Sequence, residues 1–330
     1  MSIPATMRAL QQTSHDGPQA LRLIDDAPVP TPGPGEILIR VTAAGVNFRD
    51  VMQARGTSPG GPRPPFVAGF EAAGEVVAVG GAAGGPRPGA HVVGVGDGAF
   101  AEYLVLPAAA AMPVPPGWSD EQALGLVVNW PTALAALRPL GGLVAGQTVL
   151  IHAAAGATGQ AALTLAKHYG AEVIATASPA KHRAVRALGA DHVLDSRAGD
   201  LVGAVRGLTG GAGVDVVLES AGGATFAVGL AAARRVTGRV VVLGLAGGEA
   251  AVTNRDLVYR HQVHVIGFNL GVLIQAAPQL FGAVMAELAA LVAAGVIAPG
   301  DPVGYDLVDG PKALAELEAR ATVGKLALLP

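Results

Sequence analysis

Thr148-Val149-Leu150-Ile151-His152-Ala153-Ala154-Ala155-Gly156-Ala157-Thr158-Gly159 is the stretch that decides the fold. Its first five residues form a short apolar run that reads as a buried strand. A turn of small residues follows at once, and a helix is expected to begin near Gly159. Glycine permits tight backbone conformations and close approach of a phosphate. The free N–H groups and the dipole at a helix start favour a pyrophosphate there. Gly-x-x-Gly alone is a weak signal, and small residues packed in a tight turn would leave the same trace. The strand–turn–helix setting gives it weight.

Strand candidates recur downstream at Glu172–Ala177, His192–Asp195, Val214–Glu219, Arg239–Leu243 and Val263–Phe268. Helical segments are expected at Gln160–Tyr169, Ala180–Leu188, Leu201–Leu208 and Phe226–Arg235. Gly170 and Gly189 fall just past two helix ends, where a left-handed residue is wanted. Strand–helix alternation implies a doubly wound parallel sheet. Its strands are rich in Val, Ile and Leu on both faces, as a sheet covered on both sides requires.

The end of the second strand bears on the cofactor. A site for NAD usually carries an acidic residue there for the ribose 2′-hydroxyl. Here the chain reads Ala175-Thr176-Ala177-Ser178-Pro179-Ala180-Lys181-His182-Arg183, without a carboxylate. A hydroxyl and two cations suit a 2′-phosphate. Lys181 and Arg183 could instead solvate a helix start, but basic residues in a first turn oppose the dipole unless they meet an anion. The reading favours NADPH, with Gly156, Ala157, Thr158, Ser178 and Lys181 as cofactor contacts.

The first third is β-rich, with strand-like runs at Ile37–Val41, Gly74–Val79, His91–Val95 and Ala101–Leu106 and no α/β alternation. It reads as a compact, partly open β-barrel. After Phe268 an amphipathic helix is expected over Pro278–Ala293. Pro302–Leu307 and Gly324–Leu329 look like strands returning to the first domain. The expected division is 1–127 with 270–330 for one domain and 128–269 for the inserted nucleotide domain. The fold class is therefore α/β plus β.

Composition narrows the function. The 330 residues are 51% hydrophobic and 14% charged, with a net charge of −3. That argues for packed cores and against nucleic acid or an anionic membrane as partner. There is no cysteine, so disulfides, thiolate nucleophiles and cysteine-ligated zinc or iron–sulfur sites are excluded. The start, Met1-Ser2-Ile3-Pro4-Ala5-Thr6-Met7-Arg8, lacks a signal-peptide core, and apolar runs such as Ala123–Val128 are far too short to span a bilayer. A cytoplasmic location is the expectation. His91, His152, His261 and His264 do not form metal-ligand spacing with carboxylates and read as structural histidines.

These residues resemble the medium-chain dehydrogenase/reductase superfamily, in its zinc-independent quinone oxidoreductase branch, over nearly the whole chain. Gly69-Phe70-Glu71-Ala72-Ala73-Gly74-Glu75-Val76 looks like the family's Gly-His-Glu-x-x-Gly signature, with Phe70 where the zinc enzymes place a histidine ligand. Val46-Asn47-Phe48-Arg49-Asp50 is similar to a run that borders the nicotinamide, and closer still to its counterpart in polyketide synthase enoyl reductase domains. In those domains a nearby tyrosine is implicated in protonation; Arg55-Gly56-Thr57-Ser58-Pro59 has none. The resemblance implies a Rossmann sheet inserted into a GroES-like partly open barrel, with no metal. It implies cofactor contacts at Phe48, Thr132, Ser220, Leu243, Gly244, Phe268, Asn269 and Leu270. It also implies a 2′-phosphate contact at Arg320, and Ser196 where the branch often has a tyrosine.

Conjugate reduction of an activated C=C, or reduction of a quinone, suits a metal-free site. Asn47 is the candidate polar group beside the nicotinamide, or else a turn-forming residue. Asp50 reads as a cap. Arg49 could pair with a substrate anion or with Asp50, and Glu71 reads as a remnant of the zinc signature with a structural hydrogen bond. The expected partner is a small molecule: quinone, enone or enoyl thioester. An enoyl-thioester reductase of fatty-acid or polyketide metabolism and a non-catalytic NADPH-binding protein are the alternatives. A homodimer is expected through the apolar sheet edge at 263–268.

Overall fold

The structure is a computed structural model that describes residues 3–81 and 85–330; Met1 and Ser2, which head the leader reading, lie outside it. The chain folds into two compact units, 1–127 with 299–330 and 128–298.

The strands of the first stretch are β1 (Thr6–Gln12), β2 (Leu21–Pro28), β3 (Glu36–Val46), β4 (Phe66–Val67), β5 (Glu71–Val79), β6 (His91–Val95), β7 (Tyr103–Pro107) and β8 (Met112–Pro113). The second unit supplies β9 (Thr148–Ile151), β10 (Glu172–Ala177), β11 (His192–Asp195), β12 (Val216–Glu219), β13 (Arg239–Val242) and β14 (His264–Gly267). The tail adds β15 (Val303–Asp306) and β16 (Leu326–Leu329) to the first unit.

In the first unit β2, β1 and β4 form a small sheet, and a larger one runs β15-β16-β3-β5-β6-β8 with β7 paired to β3. All pairs are antiparallel except β15 with β16. Ile37, Ile39, Leu104, Leu106, Phe100 and Leu328 pack into one core. Alternation sends Ile37 and Ile39 of β3 and Leu104 and Leu106 of β7 inward, and burying each such side chain stabilises by roughly 1.5–3 kcal/mol. Helix α1 (Phe48–Ala54) follows β3 directly, and the short helices α2 (Asp120–Ala123) and α3 (Asn129–Ala135) come later along the chain.

In the second unit the six strands are all parallel, in the order β11-β10-β9-β12-β13-β14. Counted along this unit the order is 3-2-1-4-5-6, the doubly wound arrangement whose switch point lies beside β9. Leu150, Ile174, Val217 and Val240, one from each central strand, have no exposure. This sheet is covered on both faces, as its continuous apolar strands require. The crossover helices are α4 (Ala157–His168), α5 (His182–Ala187), α6 (Leu201–Leu208) and α7 (Ala224–Ala232). Gly170 and Gly189 take φ of 74° and 93°, the left-handed helix ends their positions called for.

The structure shifts several element ends by two or three residues from the sequence expectation, among them β5, α5 and β12, and three differences bear on the site. Helix α4 starts at Ala157, not near Gly159, because Gly156 is already its extended N-cap. Helix α7 runs two residues earlier and stops at Ala232, since Ala233 turns extended and bridges to Val214. The segment 270–298, expected with the first domain, packs with the second. Its helices α8 (Leu270–Ala276) and α9 (Pro278–Ala293) follow β14, and α9 packs on the helix Asn129–Ala135. Periodicity marks the helix but not which core its apolar stripe faces. Among the described residues no single helix is long and apolar enough to cross a membrane, and the apolar pair α8 and α9 is broken by a 118° bend.

Candidate active site

In parallel α/β sheets ligands bind beyond the carboxyl ends of the strands. The sequence candidates of the second unit gather there, one group past each strand. After β9 come Ala153 through Thr158. Ala153 has φ 51°, a left-handed conformation unusual for a residue with a side chain. Its carbonyl accepts from the Gly156 N–H at 3.0 Å, which closes the turn. A Cβ on Gly159 would lie 2.4 Å from the same carbonyl, so only glycine lets helix and turn approach this closely. The first amides of α4 have no partner within the helix and face outward from its start. The Thr158 hydroxyl accepts from Asn129 Nδ2 at 3.0 Å. Thr132 turns its hydroxyl back to the Val128 carbonyl at 2.6 Å.

After β10, Ser178 begins a single tight turn over Pro179–Lys181. After β11, the Ser196 N–H donates to the Ala177 carbonyl at 2.9 Å, which lays the two strand ends side by side. Burial lowers the Lys181 pKa, and the nearby Arg197 guanidinium lowers it further. Lys181 and Arg197 thus lie close enough to act on each other beside these two strand ends, where the Arg197 N–H donates to Asp195 Oδ1 at 2.9 Å. Arg197 is absent from the sequence reading, although it directly follows Ser196.

After β12, the Ser220 hydroxyl donates to the His152 carbonyl at 3.2 Å. After β13, the Leu243 N–H donates to the Glu219 carbonyl, and Gly244 follows. After β14, Phe268 donates to Val242, and Asn269 caps α8 with its side chain accepting from the Val272 N–H at 3.1 Å. Leu270 opens that helix. Glycine cradle, helix start and cation pair together fit a dinucleotide carrying an extra phosphate.

Asn47, Phe48 and Arg320 belong to the first unit. Phe48 packs against that unit's core, and Arg320 follows the helix Gly310–Glu318 with φ 54°. Asn47 sits in a buried polar network. Its Nδ2 donates to the Gly45 carbonyl at 3.1 Å and to Glu71 Oε2 at 2.8 Å. Its Oδ1 accepts from Lys325 Nζ at 2.8 Å. Lys325 Nζ also reaches Glu71 Oε2 at 2.5 Å, and Glu71 Oε1 accepts from the Gly125 N–H at 2.6 Å. The register explains the meeting: Leu326 pairs with Val46 and Gly45 pairs with Glu71. Gly45 leaves the room, since a Cβ there would lie 2.5 Å from Glu71 Oε2. Both amide protons of Asn47 are thus spent inside the unit, and its turn-forming role is the one this geometry displays.

Asp50 caps α1, its Oδ2 accepting from the Asn47 N–H at 2.7 Å. Its Oδ1 is buried without a partner. Burial pushes the carboxyl up to about 7, against the pull of the Asn47 N–H, Lys325 and Arg49. The Arg49 guanidinium lies 4.4 Å over the Phe70 ring and is half exposed. Lys325, like Arg197, is absent from the sequence reading; its signal is a lone lysine at the head of an apolar strand.

The histidines are bonded locally: His91 to Asp120 at 2.9 Å, His264 to the Val236 carbonyl at 3.0 Å, His152 to Thr176 at 3.0 Å. Among the described residues no group of three metal-ligating side chains assembles.

The comparisons agree with this geometry. The Alcohol dehydrogenase GroES-like domain family matches residues 33–116, and the Zinc-binding dehydrogenase family matches 157–289. Erythronolide synthase EryA2 of Saccharopolyspora erythraea is 40% identical over 89% of this chain, which spans 8% of that synthase's length. Among solved structures, the quinone oxidoreductase of Escherichia coli complexed with NADPH is 31% identical with a TM-score of 0.91, over 98% of this chain and 100% of that one. The CurK enoyl reductase is 29% identical with a TM-score of 0.89, over 98% and 99%. The two family matches and the solved relative identify the chain: it belongs to the medium-chain dehydrogenase/reductase superfamily, in a zinc-independent, quinone oxidoreductase-like branch.

Proposed function

We propose that this oxidoreductase uses NADPH to reduce a quinone or an activated C=C of an enone. The observation that carries the reading is the cation pair Lys181 and Arg197 beside Ser178 and Ser196, at a strand end with no carboxylate to meet a ribose 2′-hydroxyl. The amides of Gly156, Ala157 and Thr158 would hold the pyrophosphate, and the cations the 2′-phosphate. Thr132, Ser220, Leu243, Gly244, Phe268, Asn269 and Leu270 are assigned to the remaining length of the cofactor.

The bound cofactor supplies the hydride. The residues of this chain bind, orient and polarise. Charge developing on the substrate oxygen calls for fixed donors. Arg49, held on the Phe70 ring with an exposed face, is assigned that role. The Asn47 amide acts as a brace for the start of α1, since its protons are already spent.

The test is NADPH consumption by the purified protein with a panel of 1,2-quinones, 1,4-quinones and enones, without added metal. Turnover with none of them, alongside turnover of enoyl thioesters, would replace this reading with a second one. The likeness to the CurK enoyl reductase favours that second reading. We also propose a twofold dimer. Among the described residues strand β14 pairs with β13 alone, and its His264, Val265 and Gly267 are exposed. A monomer in sedimentation would exclude the dimer.

A further inference from the structure

Three strand ends meet beneath the glycine turn around one buried pair. His152 follows β9, Thr176 lies near the end of β10, and Glu219 closes β12. His152 Nε2 lies 3.7 Å from Glu219 Oε2, and both side chains are without solvent exposure. Neither of those atoms has a hydrogen bond, while His152 Nδ1 lies 3.0 Å from Thr176 Oγ1. Glu219 Oε1 is crowded by contrast. It accepts from the Ala221 N–H at 2.8 Å, the Gly222 N–H at 2.7 Å and the Thr225 hydroxyl at 2.9 Å. One carboxylate therefore orders the turn after β12 with one oxygen and faces the imidazole with the other.

A carboxylate with no exposure needs donors for both oxygens. Nε2 is the nitrogen that faces the open one. A neutral imidazole carries a single N–H. With that proton on Nε2 directed at Glu219, Nδ1 accepts from the Thr176 hydroxyl. Burial favours this neutral form by lowering the His152 pKa. The Ser220 hydroxyl, on the His152 carbonyl, adds a second tie between the same two strand ends.

We propose that His152, as its Nε2–H tautomer, and Glu219 are positioning residues that lock the ends of β9, β10 and β12 in register, and so hold the glycine turn and the 220–222 turn in the geometry that receives the dinucleotide. This rests on the NADPH reading above. Neither residue touches the cofactor in this account; each acts through the turn it anchors.

Two readouts test it, both taken well below the melting temperature. One is amide hydrogen exchange at Ala221 and Gly222 in cofactor-free protein. The other is the Kd for NADPH by calorimetry. His152→Leu is expected to speed exchange and to weaken NADPH about tenfold, the effect of leaving a buried charged oxygen with no N–H facing it. His152→Gln can donate to Glu219 and accept from Thr176, and is expected to restore both. If His152→Leu does not fold, Thr176→Val carries the test, with a smaller loss in the same direction in both readouts. A variant that melts earlier but binds NADPH as wild type does would overturn the proposal, because the pair would then serve stability alone. Unchanged exchange would overturn it too. Wild-type protein that fails to bind NADPH while exchange still responds would overturn the cofactor reading first, and the positioning role with it.

Discussion

Replacing Lys325 with methionine removes the counter-charge of a carboxylate that has no access to water. Glu71 accepts three N–H donors, from Gly125, Asn47 and Lys325, and only the last is charged. Breaking a buried pair from one side costs about 3–5 kcal/mol, because the remaining charge is stranded. Lys325→Met should fall in that range. Glu71→Gln should cost less, about 1–3 kcal/mol, because the ammonium keeps the Asn47 oxygen and its side chain is 10% exposed. The double variant strands no charge, and its loss should be well below the sum of the two. The coupling energy should therefore be at least ~2 kcal/mol. For a body of this size 1 kcal/mol shifts the melting temperature by about 2–4 °C. Lys325→Met should melt about 10 °C early, and the double variant should recover a good part of that. The assay is scanning calorimetry of all four proteins, backed by hydrogen exchange at the β3–β5 amides to place the loss in the first unit. Additive losses, or a Lys325→Met protein within 2 °C of wild type, would refute the claim that the pair is energetically coupled.

Asp50 gives a pH signature. Its folded pKa of about 7 lies above the ordinary 3.8, so the folded state holds the proton more tightly than the unfolded chain. Its contribution to stability is fully present below about pH 4 and is lost as pH rises through 7. The full swing is on the order of 4 kcal/mol. In urea titrations from pH 4 to 8, Asp50→Asn should gain on wild type as pH rises; a constant difference would show that Asp50 does not titrate there. Lys181→Ala and Arg197→Ala should each weaken NADPH by about tenfold, as loss of one charge-assisted contact to a phosphate does. NADH should be nearly unaffected, and calorimetry that finds both cofactors weakened equally would remove the cations from the 2′-phosphate.

The second unit was readable because its signals are local. A glycine turn after an apolar strand, and helices ended by Gly170 and Gly189, are set by neighbours within a few residues. The left-handed φ at both glycines follows from that alone. Boundaries shifted where a cap or an extended residue took over, as at Gly156 and Ala233. Ser178, Ser196, Ser220, Gly244 and Asn269 each follow a strand of the second unit, and a parallel sheet brings its strand ends to one edge.

The sequence by itself determined the doubly wound sheet, the glycine turn and the lack of a carboxylate after β10. Each of these is a statement about residue types at short spacing. Tertiary structure alone decided who meets whom. It placed Lys325 on Glu71, 254 residues away, through the register of β16, β3 and β5. It brought Arg197 to Lys181, and His152 to Glu219. It moved 270–298 into the second unit. A buried charge must find its partner in space, and spatial partners are set by strand pairing, which no local period records.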